Sequence, residues 1–102
     1  MSNNFEYELP SENTYTIYSK SGCPYCVKAK KLIEKEGIHI IDCDEYLIED
    51  KEAFLIFIKN CANEGTPEIK SFPIIFYKKQ FIGGYAELVK FYEKQTAFDY
   101  EI

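Results

Sequence analysis

Two cysteines three positions apart, Cys23 and Cys26, stand in the run Ser19-Lys20-Ser21-Gly22-Cys23-Pro24-Tyr25-Cys26. Such a pair can be half of a metal site, a structural disulfide, or a pair of thiols that does redox chemistry. The flanking residues favour the last. Proline is well tolerated at the first position of a helix, where its missing N–H would have been unpaired. A helix that begins at Pro24 places Cys23 at its N-terminus. There the unpaired N–H groups and the positive end of the dipole favour a negative sulfur. Lys20 adds positive charge nearby, and the thiolate is the nucleophile. Cys26 lies nearly one turn further on, facing Cys23 from a deeper position, where it can attack a mixed disulfide formed on Cys23. A zinc site needs a second ligand pair. Cys43 and Cys61 are far apart in sequence and the one histidine, His39, sits in mid-strand, so no zinc spacing is present. Cys43 and Cys61 read as small core or edge residues.

The elements that must position this pair follow from local pattern. Thr14 to Tyr18 (TYTIY) is β-branched and aromatic and reads as a buried strand leading into the cysteines. Cys26, Ala29, Leu32 and Ile33 then recur at helical spacing, with lysines on the other face. Gly37 is expected to close that helix in a left-handed cap, with Ile38 packed behind it, and Ile38 to Asp42 (IHIID) forms a second buried strand. Glu49 or Asp50 starts the next helix, with Phe54, Phe57, Ile58 and Cys61 on one face. Ile74 to Tyr77 and Gln80 to Ile82 flank Lys78-Lys79 as a hairpin that ends at Gly83-Gly84. A last helix carries Leu88, Phe91 and Tyr92. The order βαβαββα implies a parallel strand pair extended by an antiparallel hairpin. Phe5 to Leu9 alternates apolar and acidic residues, the period of a half-buried strand that either docks or lies loose.

Composition bounds what this arrangement serves. A chain of 102 residues, 46% of them hydrophobic, makes one small globular domain. No segment approaches the length of a membrane-spanning helix. The polar, acidic start from Met1 to Glu12 lacks the order of a secretory signal, so the four cysteines are expected to be reduced, catalytic or metal-binding in the cytoplasm. A net charge of -5 argues against nucleic acid as the main partner. Lys20, Lys28, Lys30 and Lys31 nevertheless crowd around the cysteines, while Asp42 to Glu52 is acidic. A local basic patch suits a small anionic ligand; for Lys28, Lys30 and Lys31 a solvated helix face is the plainer reading.

The segment from Ser21 to Lys30 (SGCPYCVKAK) resembles the active-site segment of a dithiol glutaredoxin of the CPYC type. Two later signals match in order: Ser71-Phe72-Pro73, where glutaredoxins carry Thr-Val-Pro, and Ile82-Gly83-Gly84-Tyr85-Ala86-Glu87, where they carry a Gly-Gly motif followed by polar residues. The resemblance covers roughly Tyr15 to Gln95, which makes residues 13–102 the glutaredoxin domain and 1–12 an N-terminal extension. Thioredoxin itself is disfavoured, since its motif resembles WCGPC and this chain has no tryptophan.

The resemblance implies a thioredoxin-like α/β fold, a mixed four-stranded sheet flanked by helices. It implies a glutathione-dependent oxidoreductase that acts, as a cytoplasmic monomer without nucleic-acid or membrane partners, on glutathionylated or disulfide-containing proteins. Glutathione is then the reducing co-substrate, with no metal. Cys23 would be the nucleophile and Cys26 the resolving thiol. Lys20 would pair with the glycyl carboxylate of glutathione, Tyr25 would line the groove, and Lys70 would be a weaker second cation. Pro73 would be cis and leave the backbone of Phe72 to pair with the cysteinyl part of glutathione. Gly84, Tyr85 and Ala86 would take the γ-glutamyl end through backbone N–H groups. Two positions depart from the family pattern. Ala86 stands where many relatives have Ser, Thr or Asp, which removes a side-chain contact, and Phe72 replaces a smaller aliphatic residue and reshapes the groove. Two alternatives stay open. One is a dimer holding a [2Fe–2S] cluster through Cys23 and glutathione, although such relatives mostly carry Gly or Ser where this chain has Pro24. The other is a dedicated reductant of one partner, such as a donor to ribonucleotide reductase.

Overall fold

The computed structural model describes residues 7–62, 69 and 71–100, with the side chains of 98–100 left aside. Strand β1 is Tyr15–Ser19, helix α1 is Pro24–Leu32, β2 is His39–Asp42 and α2 is Asp44–Cys61. The hairpin strands β3, Ile74–Tyr77, and β4, Gln80–Gly83, precede α3, Tyr85–Tyr100. The sheet order is β2-β1-β3-β4, with β1 and β2 parallel and the other two pairings antiparallel. This is the mixed four-stranded α/β sheet that the element order implies.

All five residues of the central β1 are buried, as expected of a strand covered on both faces. Tyr15 and Ile17 join Ala29, Ile33, Ile75 and Leu88 beneath α1 and α3. Tyr18 joins Ile41, Phe54, Ile58, Ile74 and Phe76 beneath α2. Alternation along β1 thus feeds two cores, and the strand's C-terminal end emerges between α1 and α2. The loop that carries the cysteine pair starts there.

Several local expectations shift. Gly37 is left-handed (φ 72°, ψ 60°), but it closes a short 3-10 turn, Glu34–Glu36; α1 itself has already ended at Leu32. Helix α2 begins at Asp44, five or six residues before the expected start at Glu49 or Asp50. Asp50 is extended (φ -164°, ψ 89°) and kinks the helix, and its carboxylate accepts the Ala53 N–H at 3.0 Å. It therefore caps the second half of α2, the role its side chain suggests, with another helical segment before it. Lys78 and Lys79 make the two-residue hairpin turn with φ of 49° and 73°, an uncommon choice where Asn-Gly is usual.

Tyr7–Leu9 does not form a strand. It docks instead: Tyr7 packs edge-on against Tyr46 at 4.9 Å and tilted on Phe57 at 5.0 Å. The Tyr18 hydroxyl donates to the Glu8 carbonyl at 2.6 Å, and Glu8 Oε2 lies 2.8 Å from His39 Nε2. Phe5 and Glu6 lie outside the described residues.

Candidate active site

Ser19, the last residue of β1, accepts the Cys43 N–H on its carbonyl at 2.8 Å. Ser21 then donates its N–H to Asp44 Oδ1 at 2.9 Å and its hydroxyl to Asp44 Oδ2. The hydroxyl bond first, the backbone bond next and the nearby Lys20 charge hold the Asp44 carboxyl below its usual range. Gly22 follows with φ 66°, a conformation that side chains disfavour. The start of α2 thus clamps the loop that presents Cys23.

Cys23 is the N-cap of α1, extended at φ -121° and ψ 95°, with Pro24 at the first helical position. Its Sγ accepts the Cys26 N–H at 3.1 Å, and its carbonyl accepts the N–H groups of Cys26 and Val27 at 3.0 and 3.3 Å. Cys23 and Cys26 are disulfide-bonded, with Cα atoms 5.2 Å apart. Cys26 is 1% exposed and Cys23 9%, so the first cysteine is the more accessible of the two. On reduction, the helix N-terminus and the Cys26 N–H face the Cys23 sulfur and stabilise its anion. This geometry can exchange disulfides.

The other expected residues arrange themselves on either side of one divide. Phe72 and Pro73 are joined by a cis peptide bond, as the resemblance implied. The Phe72 ring stacks on Phe54 at 6.3 Å and 7°, with Lys20 Nζ 6.0 Å from its centroid. Tyr25, 54% exposed, lies 5.6 Å ring to ring from Tyr85. Tyr25, Ser71 and Phe72 border two clefts. The first, about 370 Å³, holds Lys20 and Cys23. The second, about 730 Å³, runs past Pro73 to Gly84, Tyr85 and Ala86. Lys70 lies outside the described residues.

One donor is already engaged. Glu87 Oε1 accepts the Gly84 N–H at 2.9 Å, closing the first turn of α3 as a capping carboxylate does. The N–H groups of Tyr85 and Ala86, in that same turn, have no carbonyl four residues back within the helix. A Cβ at Gly83 (φ 133°) would meet Glu87 side-chain atoms at 2.8 Å, so the Gly-Gly signal reports a real steric demand.

Sequence reasoning missed Leu47, Lys51 and Leu55, which line the first cleft from α2. Their spacing of four was a usable signal, but with the helix expected to start at Glu49 or Asp50, Leu47 fell outside it. Asp44 was missed too, because its role depends on where β1 ends in space.

The remaining thiols are of another kind. Burial pushes the Cys43 thiol up to about 12, and Cys61 is raised by burial as well. Cys43 sits in the core and Cys61 is partly buried at its edge, in keeping with small core or edge residues.

Comparison with known proteins agrees with this site. The family model described as Glutaredoxin matches residues 15–82. The chain is 37% identical over 71 residues to Glutaredoxin 1 of Escherichia coli, covering 70% of this chain and 82% of that one. It is 35% identical over 78 residues to Glutaredoxin 1 of Rickettsia typhi, covering 74% and 67% respectively. Among solved structures, glutaredoxin 1 from Francisella tularensis complexed with cacodylate superposes with a TM-score of 0.68 at 28% identity, over 81% of this chain and 95% of that one. The reduced Escherichia coli glutaredoxin gives 0.62 at 31% identity, over 81% and 96%. The matched span contains the cysteine pair and the cis proline and ends just before Gly83-Gly84, so sequence, fold and chemistry point the same way. The chain belongs to the glutaredoxin family, whose members are thiol–disulfide oxidoreductases.

Proposed function

We propose that this enzyme is glutathione-dependent and reduces both protein–glutathione mixed disulfides and protein disulfides. The observation that carries the reading is Cys23 Sγ at the mouth of α1, accepting the Cys26 N–H at 3.1 Å, beside the cis Phe72–Pro73 bond. In this reading the glycyl carboxylate of glutathione meets Lys20 in the first cleft. The γ-glutamyl end crosses to the second cleft and takes the N–H groups of Tyr85 and Ala86 at the positive end of α3. The backbone of Phe72 pairs with the cysteinyl residue between them.

The chemistry follows from the depth of the two sulfurs. With a protein–glutathione disulfide, the Cys23 thiolate attacks the glutathione sulfur and the protein thiolate leaves and is protonated. A second glutathione thiolate then attacks the glutathione sulfur on Cys23, giving glutathione disulfide and regenerating Cys23. With a protein disulfide, Cys26 closes on Cys23 and expels the reduced partner, which leaves the Cys23–Cys26 disulfide. Two electrons and two protons pass from the dithiol to the substrate, and two glutathiones restore it.

The test is a glutathione-coupled turnover assay on both substrate types. Cys23→Ser is expected to fall to the uncatalysed background with each. Cys26→Ser is expected to keep deglutathionylation, or speed it by removing the competing ring closure, and to lose most protein-disulfide reduction. A Cys26→Ser protein inactive on glutathionylated substrates would mean that the roles of the two thiols are wrongly assigned.

A further inference from the structure

Glycine offers the first cleft only one methylene and a carboxylate, and the cleft is built for more. Its volume of about 370 Å³ lies in the range of sites that hold whole small ligands, about 300–1,000 Å³. Lys20 and Lys51 stand at it as cations, while Leu47, Leu55, Ile69 and Phe72 supply apolar wall. Those four side chains pack their inner sides against the core under α2 and are only partly buried, so apolar surface is left toward the cleft. The kink at Asp50 separates Leu47 from Lys51 and Leu55, yet all three reach the same cleft. An apolar wall beside two ammonium groups matches a ligand with an apolar side chain next to a carboxylate.

Resting on the glutathione orientation proposed above, we infer that the first cleft takes a large apolar residue following the reacting cysteine, in polypeptide disulfide substrates. The cysteine of such a substrate is attacked by Cys23, its former disulfide partner leaves as a thiol, and Cys26 then releases it as a second thiol, with the electron count given above. The apolar residue is removed from water against Leu47 and Leu55, and the following anion, a carboxylate terminus or an acidic side chain, meets Lys20 and Lys51. A leucine in place of glycine changes nothing in charge, so any preference for it reports the wall alone.

The experiment uses the full chain carrying Cys26→Ser, which stalls at the mixed disulfide. The protein is equilibrated with equal concentrations of two tripeptides, γ-Glu-Cys-Gly and γ-Glu-Cys-Leu, in a common redox buffer of their disulfides. Intact mass spectrometry counts the two adducts and peptide mapping places them on Cys23. The leucine adduct is expected to exceed the glycine adduct about tenfold, the low end of what added apolar contact in a pocket contributes. Leu55→Ala in the same background is expected to bring the ratio toward one, and Leu47→Ala does the same should the first variant fail to fold. Equal adducts in the parent protein overturn the preference and leave the glutathione reading standing. An unchanged ratio in a folded wall variant overturns the assignment to this cleft. Failure of either tripeptide to form an adduct on Cys23 overturns the glutathione reading itself, and this inference with it.

Discussion

Two cysteines in this chain occupy the same topological position and aim their sulfurs in different directions. Cys23 follows β1 and caps α1; Cys43 follows β2, which lies parallel to β1, and caps α2. Both precede a helix N-terminus with its unpaired N–H groups and positive dipole end. Cys23 is extended, so its sulfur swings over the first turn and accepts the Cys26 N–H. Cys43 has ψ 8°, makes no side-chain cap, and turns its sulfur inward, 3.6 Å from the Ile41 carbonyl, with no exposed surface. The carboxylate of Asp42 takes over, accepting the Asp44 N–H at 3.0 Å. A helix N-terminus therefore does not make a reactive thiol. The backbone angle that aims the sulfur at the turn, and the access that follows, decide it.

The largest effect is expected from replacing the two caps by the same residue. Cys23→Ser is expected to remove turnover altogether. Cys43→Ser is expected to keep turnover and lower stability by about 1–3 kcal/mol, the cost of burying a hydroxyl without a full partner. Coupled turnover and urea unfolding of both variants check this. Loss of activity in a folded Cys43→Ser protein would break the contrast and assign the second cap a part in the chemistry.

Thiol reactivity sharpens the same contrast without mutation. A thiol pushed up to about 12 holds roughly one thiolate in 10⁵ at pH 7, against a few per cent for an ordinary cysteine. In the reduced protein, iodoacetamide is expected to label Cys23 first and Cys43 last, with Cys43 labelling rising only toward strongly alkaline pH. Peptide mapping across pH 5 to 10 reads the order. If Cys43 reacts as fast as Cys23 at pH 6, neither the burial of one nor the helix position of the other governs reactivity.

The sequence made one of these caps legible and hid the other. The Cys-Pro-Tyr-Cys run carries its own helix start in Pro24, so α1 and its sulfur could be placed from eight residues. Ser71-Phe72-Pro73 and the Gly-Gly turn added the far wall of the site. Cys43 lacked such a marker, because the strong apolar period of Phe54, Phe57 and Ile58 drew attention to the second half of α2. Asp50, a sound cap, then read as the only beginning, when tertiary packing also holds Asp44 to Glu49 as helix ahead of the kink. What was lost with that half-helix was half of the first cleft and the clamp on Ser21. Local signals mark where a helix can start; only packing shows that one has started earlier.

The smallest effect tests that clamp. Asp44, next to Cys43, accepts both polar hydrogens of Ser21, so the start of α2 steadies the loop that carries Cys23. Its folded pKa lies below the unfolded value of about 3.9, because the Ser21 hydroxyl and N–H favour the charged form. The sign is therefore fixed. The folded state binds this proton less readily, so the stabilisation is present above about pH 4 and is lost as pH falls through the folded pKa. Asp44→Ala is expected to lower stability slightly at pH 7, with the gap to the parent closing toward pH 2. Because the Ser21–Asp44 bonds are exposed, the gap is small and shrinks further in salt. Asp44→Asn can still accept one hydrogen bond from Ser21 and is expected to fall between the two. Urea unfolding at pH 7, 4 and 2.5 gives the three curves, and the deglutathionylation rate at pH 7 reports whether the loop has loosened. A gap between parent and Asp44→Ala that is the same at every pH would mean that this residue supports the loop by packing, and that its charge does not link the two caps.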